Sequence, residues 1–300
     1  SDGSTSAGIL ATDYYGNGTQ ATIVSNTISG NSSGIMIGYA SNDVTEVTAH
    51  YNLIVDNGTA VGGTSNVVVD ATLNYFGDAD PDFTTVVEGP VAYDPWFIDE
   101  AMTQLKTLTV YVDGTYDGST PGWGYTNFAT IQSAVDTVGS RGTVIVNDGT
   151  YNENLDLNRP VTLISVNGRD TVTIAGADNM GPLGTIQISS PDVAVGTTAD
   201  NGFTVVGYDH DWQGVEHAAI YLKNTATGGL SVIGNDIVAD GEAGLLAEYG
   251  QPAGGIEVGY IDFSGQTYVG STVGGISSVQ FTTQNVPRSM IYFTGGTTCI

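Results

Sequence analysis

The stretch Tyr125-Thr-Asn-Phe128-Ala-Thr-Ile131-Gln-Ser-Ala-Val135-Asp-Thr-Val138-Gly139, followed by Gly142-Thr-Val-Ile-Val146, Gly149-Thr-Tyr151-Asn-Glu153-Asn-Leu155 and Val161-Thr-Leu-Ile164, decides the fold. Phe128, Ile131, Val135 and Val138 recur every three to four residues, which predicts a short amphipathic helix over 128–138, with Thr126 or Asn127 as N-cap. Gly139 ends it. After Arg141-Gly142 the period changes to short β-branched runs separated by turn-formers at Asn147-Asp148-Gly149 and Asn158-Arg159-Pro160. A helix therefore leads into a ladder of short strands.

Working outward, strand-like runs recur at 143–146, 161–166, 171–175, 185–189, 202–207, 218–222, 230–233 and 243–247. On the other side of the helix, Thr107-Leu-Thr-Val-Tyr-Val-Asp113 alternates like a strand, and a Gly/Ser/Pro-rich loop runs from Gly114 to Gly124. Residues 1–76 carry an internal repeat. Ala21-Thr-Ile-Val-Ser-Asn26-Thr-Ile-Ser-Gly-Asn31 superimposes on Val47-Thr-Ala-His-Tyr-Asn52-Leu-Ile-Val-Asp-Asn57 with a shift of 26 residues. That period, with short strands, marks the rung of a β-solenoid. Asn74 lies 22 residues beyond Asn52, and Asn235 holds the place of Asn26 in the later run Leu230-Ser-Val-Ile-Gly-Asn235-Asp-Ile-Val. Asn26, Asn52, Asn74 and Asn235 read as a structural stack whose amides bond along a column and satisfy buried backbone groups.

The runs Phe128–Asp136, Gly149–Leu155 and Arg159–Ile164 resemble the opening of pectin-lyase-like right-handed parallel β-helix proteins, in which such a helix closes the N-terminal end. Asn74-Tyr-Phe-Gly77 with Gly89-Pro-Val-Ala-Tyr93-Asp-Pro-Trp96 looks like the aromatic element that closes the C-terminal end of many secreted members. The resemblance implies an all-β right-handed parallel β-helix with one short capping helix. It implies two pieces: residues 1–104, final rungs and closing cap of one solenoid, and 105–300, opening cap and rungs of a second, open at its C-terminal end. On this reading both outer ends lack caps, which implies head-to-tail self-association or flanking repeats of a longer chain.

Thirty-two acidic residues against six basic ones give a net charge of −26, and the first 105 residues hold thirteen acids and no base. Nucleic acid is excluded as a partner, since a backbone binder needs clustered Lys and Arg. Anionic membrane surfaces are disfavoured, and no run reaches the length of a membrane span. The composition suits an extracellular or cell-surface setting in which cations offset self-repulsion. The single cysteine, Cys299, makes no internal disulfide. Asn17, Asn31 and Asn57 match the glycosylation acceptor pattern, in a chain rich enough in Asn, Ser and Thr for coincidence.

Two stretches carry chemistry. Asp78, Asp80 and Asp82 alternate like the first half of a calcium loop, without the Gly and distal Glu of an EF-hand, so Ca2+ competes with a solvated acidic loop. Tyr208–His217 gathers His210, Asp211, Glu216 and His217 as candidate catalytic or metal-binding groups, with Trp212 available to stack on a sugar; a loop between rungs is the plainer reading. His50 lies inside a repeat and reads as a rung residue. Gly149-x-Tyr151-x-Glu153 is shared with pectin methylesterases, but their Gln- and Asp-bearing catalytic motifs have no counterpart here, and the six bases are too scattered for a pectate-lyase centre. The first reading is a structural or adhesive module without catalysis. A polysaccharide-active enzyme of the same fold, or a module that binds glycans on exposed Trp and Tyr, stands as the alternative.

Overall fold

The computed structural model describes residues 6–13, 18–38, 42–64, 67–177, 182–208, 218–223, 225–226 and 229–238, and the backbone of strands 243–247, 256–259 and 279–282. It divides into two compact units, Ser1–Leu108 and Thr109–Ile300.

In the first unit every long-range pairing of the repeat is parallel. Strands 7–11, 33–37, 59–63 and 87–88 line up in that order; strands 20–24, 46–50, 69–70 and 91–92 form a second sheet, and 27–29 pairs with 53–55. Equivalent residues sit above one another at a shift of 26: Ile9 on Ile35, Ile35 on Val61, Ile23 on Ala49 and Ile28 on Ile54. In the first sheet the shift stays at 26, Val61 lying opposite Val87, but in the other two the step after 46–55 is 22, with Thr48 opposite Asp70 and Leu53 opposite Tyr75. Alternation places Val47 and Ala49 inside and Glu46 outside, and Ile35, Ile37 and Val61 are fully buried. Such a stack of parallel rungs is a parallel β-helix.

One end of this unit is closed. A four-residue helix, α1 (Phe83–Val86), leads into the last strands, 87–88 and 91–92, and an antiparallel pair, Trp96–Phe97 with Leu105–Lys106, follows them. That pair keeps residues 105–108 with the first unit, slightly beyond the boundary expected at 104. Phe83 stacks on Tyr93 at 3.9 Å between centroids and meets Trp96 and Phe76 edge-on at 4.8 and 5.4 Å.

The second unit repeats the architecture with unequal rungs. Its longest sheet runs 127–128, 109–112, 142–146, 161–165, 193–195, 230–233, 256–259 and 279–282, and two four-stranded sheets contain 149–152, 172–175, 204–206, 236–238 and 155–157, 184–188, 218–222, 243–247. All of these pairings are parallel. Thr143 lies opposite Thr162, but Thr162 lies opposite Ala194 and Ala194 opposite Ser231, so successive steps lengthen as loops are inserted.

The opening helix, α2, spans Ile131–Thr137 and is shorter than the periodicity predicts. Phe128 belongs to a strand instead, paired with Val112, because its ring fills the same buried row. The N-cap is accordingly Thr130, whose hydroxyl accepts from the Ser133 N–H. Ile131, Ala134 and Val135 are fully buried, so α2 lays its apolar stripe on the end of the rungs.

Candidate functional site

The polar groups that the sequence singles out fall into four local arrangements. Asn26, Asn52 and Asn74 form a column: the Asn26 backbone N–H and side-chain amide donate to Asn52 Oδ1 at 2.9 and 3.1 Å, and those of Asn52 donate to Asn74 Oδ1 at 2.8 and 3.0 Å. The Asn52 amide also donates to the Ile23 and His50 carbonyls, and that of Asn74 to Ala49 and Ala71. Each asparagine follows a residue with left-handed backbone, Ser25, Tyr51 or Leu73, so the corner turns sharply and aims the amide back across it. Asn235, in the second unit, makes an equivalent set, accepting from the Phe203 N–H and donating to Val195 and Ile233. A second column was not anticipated: Asn31 donates from backbone and side chain to Asn57 Oδ1, and Asn57 donates to the Ile28 and Val55 carbonyls. Its signal is the same 26-residue shift, which sets Asn31 on Asn57 in the aligned repeat.

Asp78, Asp80 and Asp82 line a cleft of about 410 Å³ with Asp56 and Glu100. Each carboxylate has its own engagement: Asp78 accepts from the Asp80 N–H at 2.9 Å, Asp80 pairs with Lys106 at 3.3 Å, and Asp82 caps α1 through the Thr84 N–H at 3.0 Å. Among the described residues, no three His, Cys, Asp or Glu side chains gather as a metal cluster.

On the outer face of the sheet containing 46–50, His50 Nε2 lies 3.0 Å from Asp70 Oδ1 and 3.2 Å from Thr72 Oγ1, and Thr72 donates to the same carboxylate oxygen at 2.8 Å. Burial pushes the Asp70 carboxyl up, but the bonds from His50 and Thr72 outweigh it and hold it below the usual range. His50 and Thr72 thus meet the same carboxylate oxygen from two successive rungs. The cluster is a hydrogen-bonded brace.

The element shared with pectin methylesterases is occupied by the fold. Glu153 accepts the Ile131 and Gln132 N–H groups of α2 at 2.8 and 3.0 Å, placing a carboxylate on the positive end of the helix. Gln132 then accepts the Asp156 N–H at 2.8 Å, tying α2 to strand 155–157. Tyr151 is buried and donates its hydroxyl to the Asn147 carbonyl at 2.9 Å; burial, reinforced by the Asp113 charge, pushes its pKa up to about 12. Truncating Glu153 to Ala leaves two helix N–H groups short of acceptors, with an expected loss of about 2 kcal/mol in denaturant unfolding and about half of that recovered by Glu153→Gln. A neutral result for Glu153→Ala would remove this account of the motif.

No known protein family matches the sequence, and no curated protein does. Solved structures do show similarity. A pectin methylesterase in complex with a hexasaccharide aligns with a TM-score of 0.36 and 16% identity over 56% of this chain and 60% of that one. The pectin methylesterase PemA of Erwinia chrysanthemi aligns with a TM-score of 0.36 and 17% identity, over 57% of this chain and 60% of the other. This chain thus spans under two thirds of the length of each, and the parallel register described above stands independently of the comparison.

His210, Asp211, Glu216 and His217 lie outside the described residues, as do Asn17, Trp212 and Cys299. One buried acid escaped the sequence reading. Asp43, 3% exposed, accepts from Thr12 Oγ1 and the Asp13 N–H at 2.8 and 2.9 Å and from the Thr45 N–H at 2.8 Å, stitching two successive loops together. Burial opposes its charge, but the hydrogen bonds from Thr45, Asp13 and Thr12 prevail and hold its carboxyl far below the usual range. A depressed folded-state pKa adds stability that is complete above the unfolded value of about 3.9 and is lost as pH falls through the folded value. The first unit should therefore lose stability as pH drops below about 4, and Asp43→Asn should flatten that decline at a cost of about 2 kcal/mol at pH 7. Equal acid slopes in both proteins would overturn the assignment.

Proposed function

We propose that the chain is a structural or adhesive β-helix module of an extracellular surface assembly, elongated by stacking of rungs. The observation that supports it is the use of the most chemically capable motif: Glu153 and Gln132 are spent on holding α2 against the rungs, and the asparagine columns on joining one rung to the next. Strong negative charge with scattered bases suits a surface that stays soluble in a cation-rich exterior. Negative-stain images of the purified chain at rising concentration test the reading. Rods or filaments that lengthen with concentration support it, and particles of one fixed size at all concentrations sink it.

A second reading has its own support in the cleft lined by Asp56, Asp78, Asp80, Asp82 and Glu100, since glycoside hydrolysis needs two carboxylates flanking a bond. In that case the chain acts on polysaccharide. Release of reducing ends from a panel of plant and microbial glycans, lost in Glu100→Gln, would favour this reading over the first.

A further inference from the structure

Tyr111 and Trp123, 42% and 44% exposed, are the two large aromatics that the second unit leaves on its surface among the described residues. They fall on one line. Trp123 bridges to Asn127, Asn127 pairs with Tyr111, Tyr111 with Ile145 and Ile145 with Ile164, all in parallel register. Residues in register share a face, and the intervening Val110, Val112, Val144, Val146 and Leu163 are buried, so this row faces outward. A second outward row, Thr109, Thr143 and Thr162, runs beside it two residues back along the same strands. The face therefore carries an aromatic and aliphatic row flanked by hydroxyls.

Trp123 is also held in place. Gly122, with φ +77, turns the chain where a Cβ would run into the Thr126 hydroxyl, and its carbonyl accepts the N–H groups of Tyr125, Thr126 and Asn127 at 3.0, 2.8 and 3.1 Å. Asn127 locks the turn from its side chain by donating to the Pro121 carbonyl at 2.6 Å. The backbone that carries the indole is thus already ordered, so only side-chain freedom is lost when it meets a ligand. Trp123 and Tyr111 stand two strands apart, roughly 10 Å, a spacing comparable to that of alternate rings in an extended β-linked glycan. Sugar rings present apolar C–H faces to aromatics and equatorial hydroxyls to the side, which match the two rows in turn.

We propose that this face binds a neutral β-1,4-linked polysaccharide lying across the strands, with alternate rings on Trp123 and Tyr111 and hydroxyls against the threonine row. The occupant is neutral because the chain's charge of −26 opposes a polyanion. The inference goes beyond the structural reading and does not depend on assembly. It is tested on the whole chain by calorimetry and tryptophan fluorescence with cellohexaose, xylohexaose, mannohexaose and a galacturonate hexamer. At least one neutral hexasaccharide should bind and perturb the fluorescence. Trp123→Ala and Tyr111→Ala should each weaken binding about tenfold or more, Trp123→Phe less, with melting temperatures close to that of the unaltered protein. Failure of every neutral hexasaccharide to bind, binding that survives both alanine variants, or preference for galacturonate would overturn the proposal. So would a dimer that Trp123→Ala dissociates, since the face would then belong to a second copy.

Discussion

Asn52→Asp should destabilise the first unit by about 3–5 kcal/mol at pH 7, although it changes one NH2 group into one oxygen. Asn52 is fully buried, and its amide donates to Ile23 O, His50 O and Asn74 Oδ1 at 2.8, 3.0 and 3.0 Å. In the aspartate these become approaches of one acceptor to three others. The carboxylate then has either to carry an unpaired buried charge or to take up a proton that serves one acceptor of three. Its folded-state pKa is consequently raised, so the defect is largest above that value and shrinks as the pH is lowered through it. Asn26→Asp provides the internal comparison, because Asn26 is exposed and water can solvate the new charge; its cost should stay near 1 kcal/mol or below. Urea unfolding of both variants at pH 7 and pH 4 measures the contrast. Equal costs at the two positions would mean that the column contributes no more when buried than when exposed.

Why this column was legible in sequence, and much else was not, follows from rung length. Between Asn26 and Asn52 the chain makes one circuit of 26 residues, so equivalent residues repeat at a fixed interval and Ile28 falls on Ile54. In the second unit Thr162 pairs with Ala194 and Ala194 with Ser231, and the inserted loops erase any constant period. The strands themselves still show through, since inward Val, Ile and Leu are fixed by burial whatever the loop length. The short runs 149–152, 155–157 and 193–195 are among those that the local pattern does not show. Their turn-forming neighbours Asn147-Asp148-Gly149 and Ser190-Pro191-Asp192 outweigh three or four strand residues in any local reading. The start of α2 differs for a related reason: Phe128 satisfies the helical period, but the row of Val112 and Val146 buries it as a strand residue.

The candidate chemistry was less legible because a polar residue's role depends on what faces it across a rung. Glu153 shares a motif with enzymes, yet its partners are two helix N–H groups 21 and 22 residues earlier in the chain. Asp70 and Thr72 reach His50 because the step from strand 46–50 to strand 69–70 is 22 residues long, which a search at 26 does not find. Asp43 gives no pattern in sequence at all; its partners Thr12 and Asp13 lie in the preceding loop, 31 and 30 residues away.

At the closed end of the first unit, Trp96→Ala should cost about 3–5 kcal/mol, comparable to the buried-asparagine change but by a different physical route. Trp96 is fully buried, donates Nε1–H to the Ala79 carbonyl at 3.3 Å, and meets Phe83 edge-on at 4.8 Å. Phe83 in turn stacks on Tyr93 and touches Phe76 edge-on, so removal of the indole opens a cavity beneath a connected set of rings. Trp96→Phe keeps much of the apolar contact and forgoes only the hydrogen bond and part of the volume, so it should recover more than half of the loss. The damage should also be local. Hydrogen exchange is expected to accelerate first in strands 87–88 and 91–92 and in the pair 96–97 with 105–106, while strands 33–37 and 46–50 keep their protection until global unfolding. Uniform acceleration through all rungs, or a loss for Trp96→Ala below about 1 kcal/mol, would show that the aromatic element decorates the stack without sealing it.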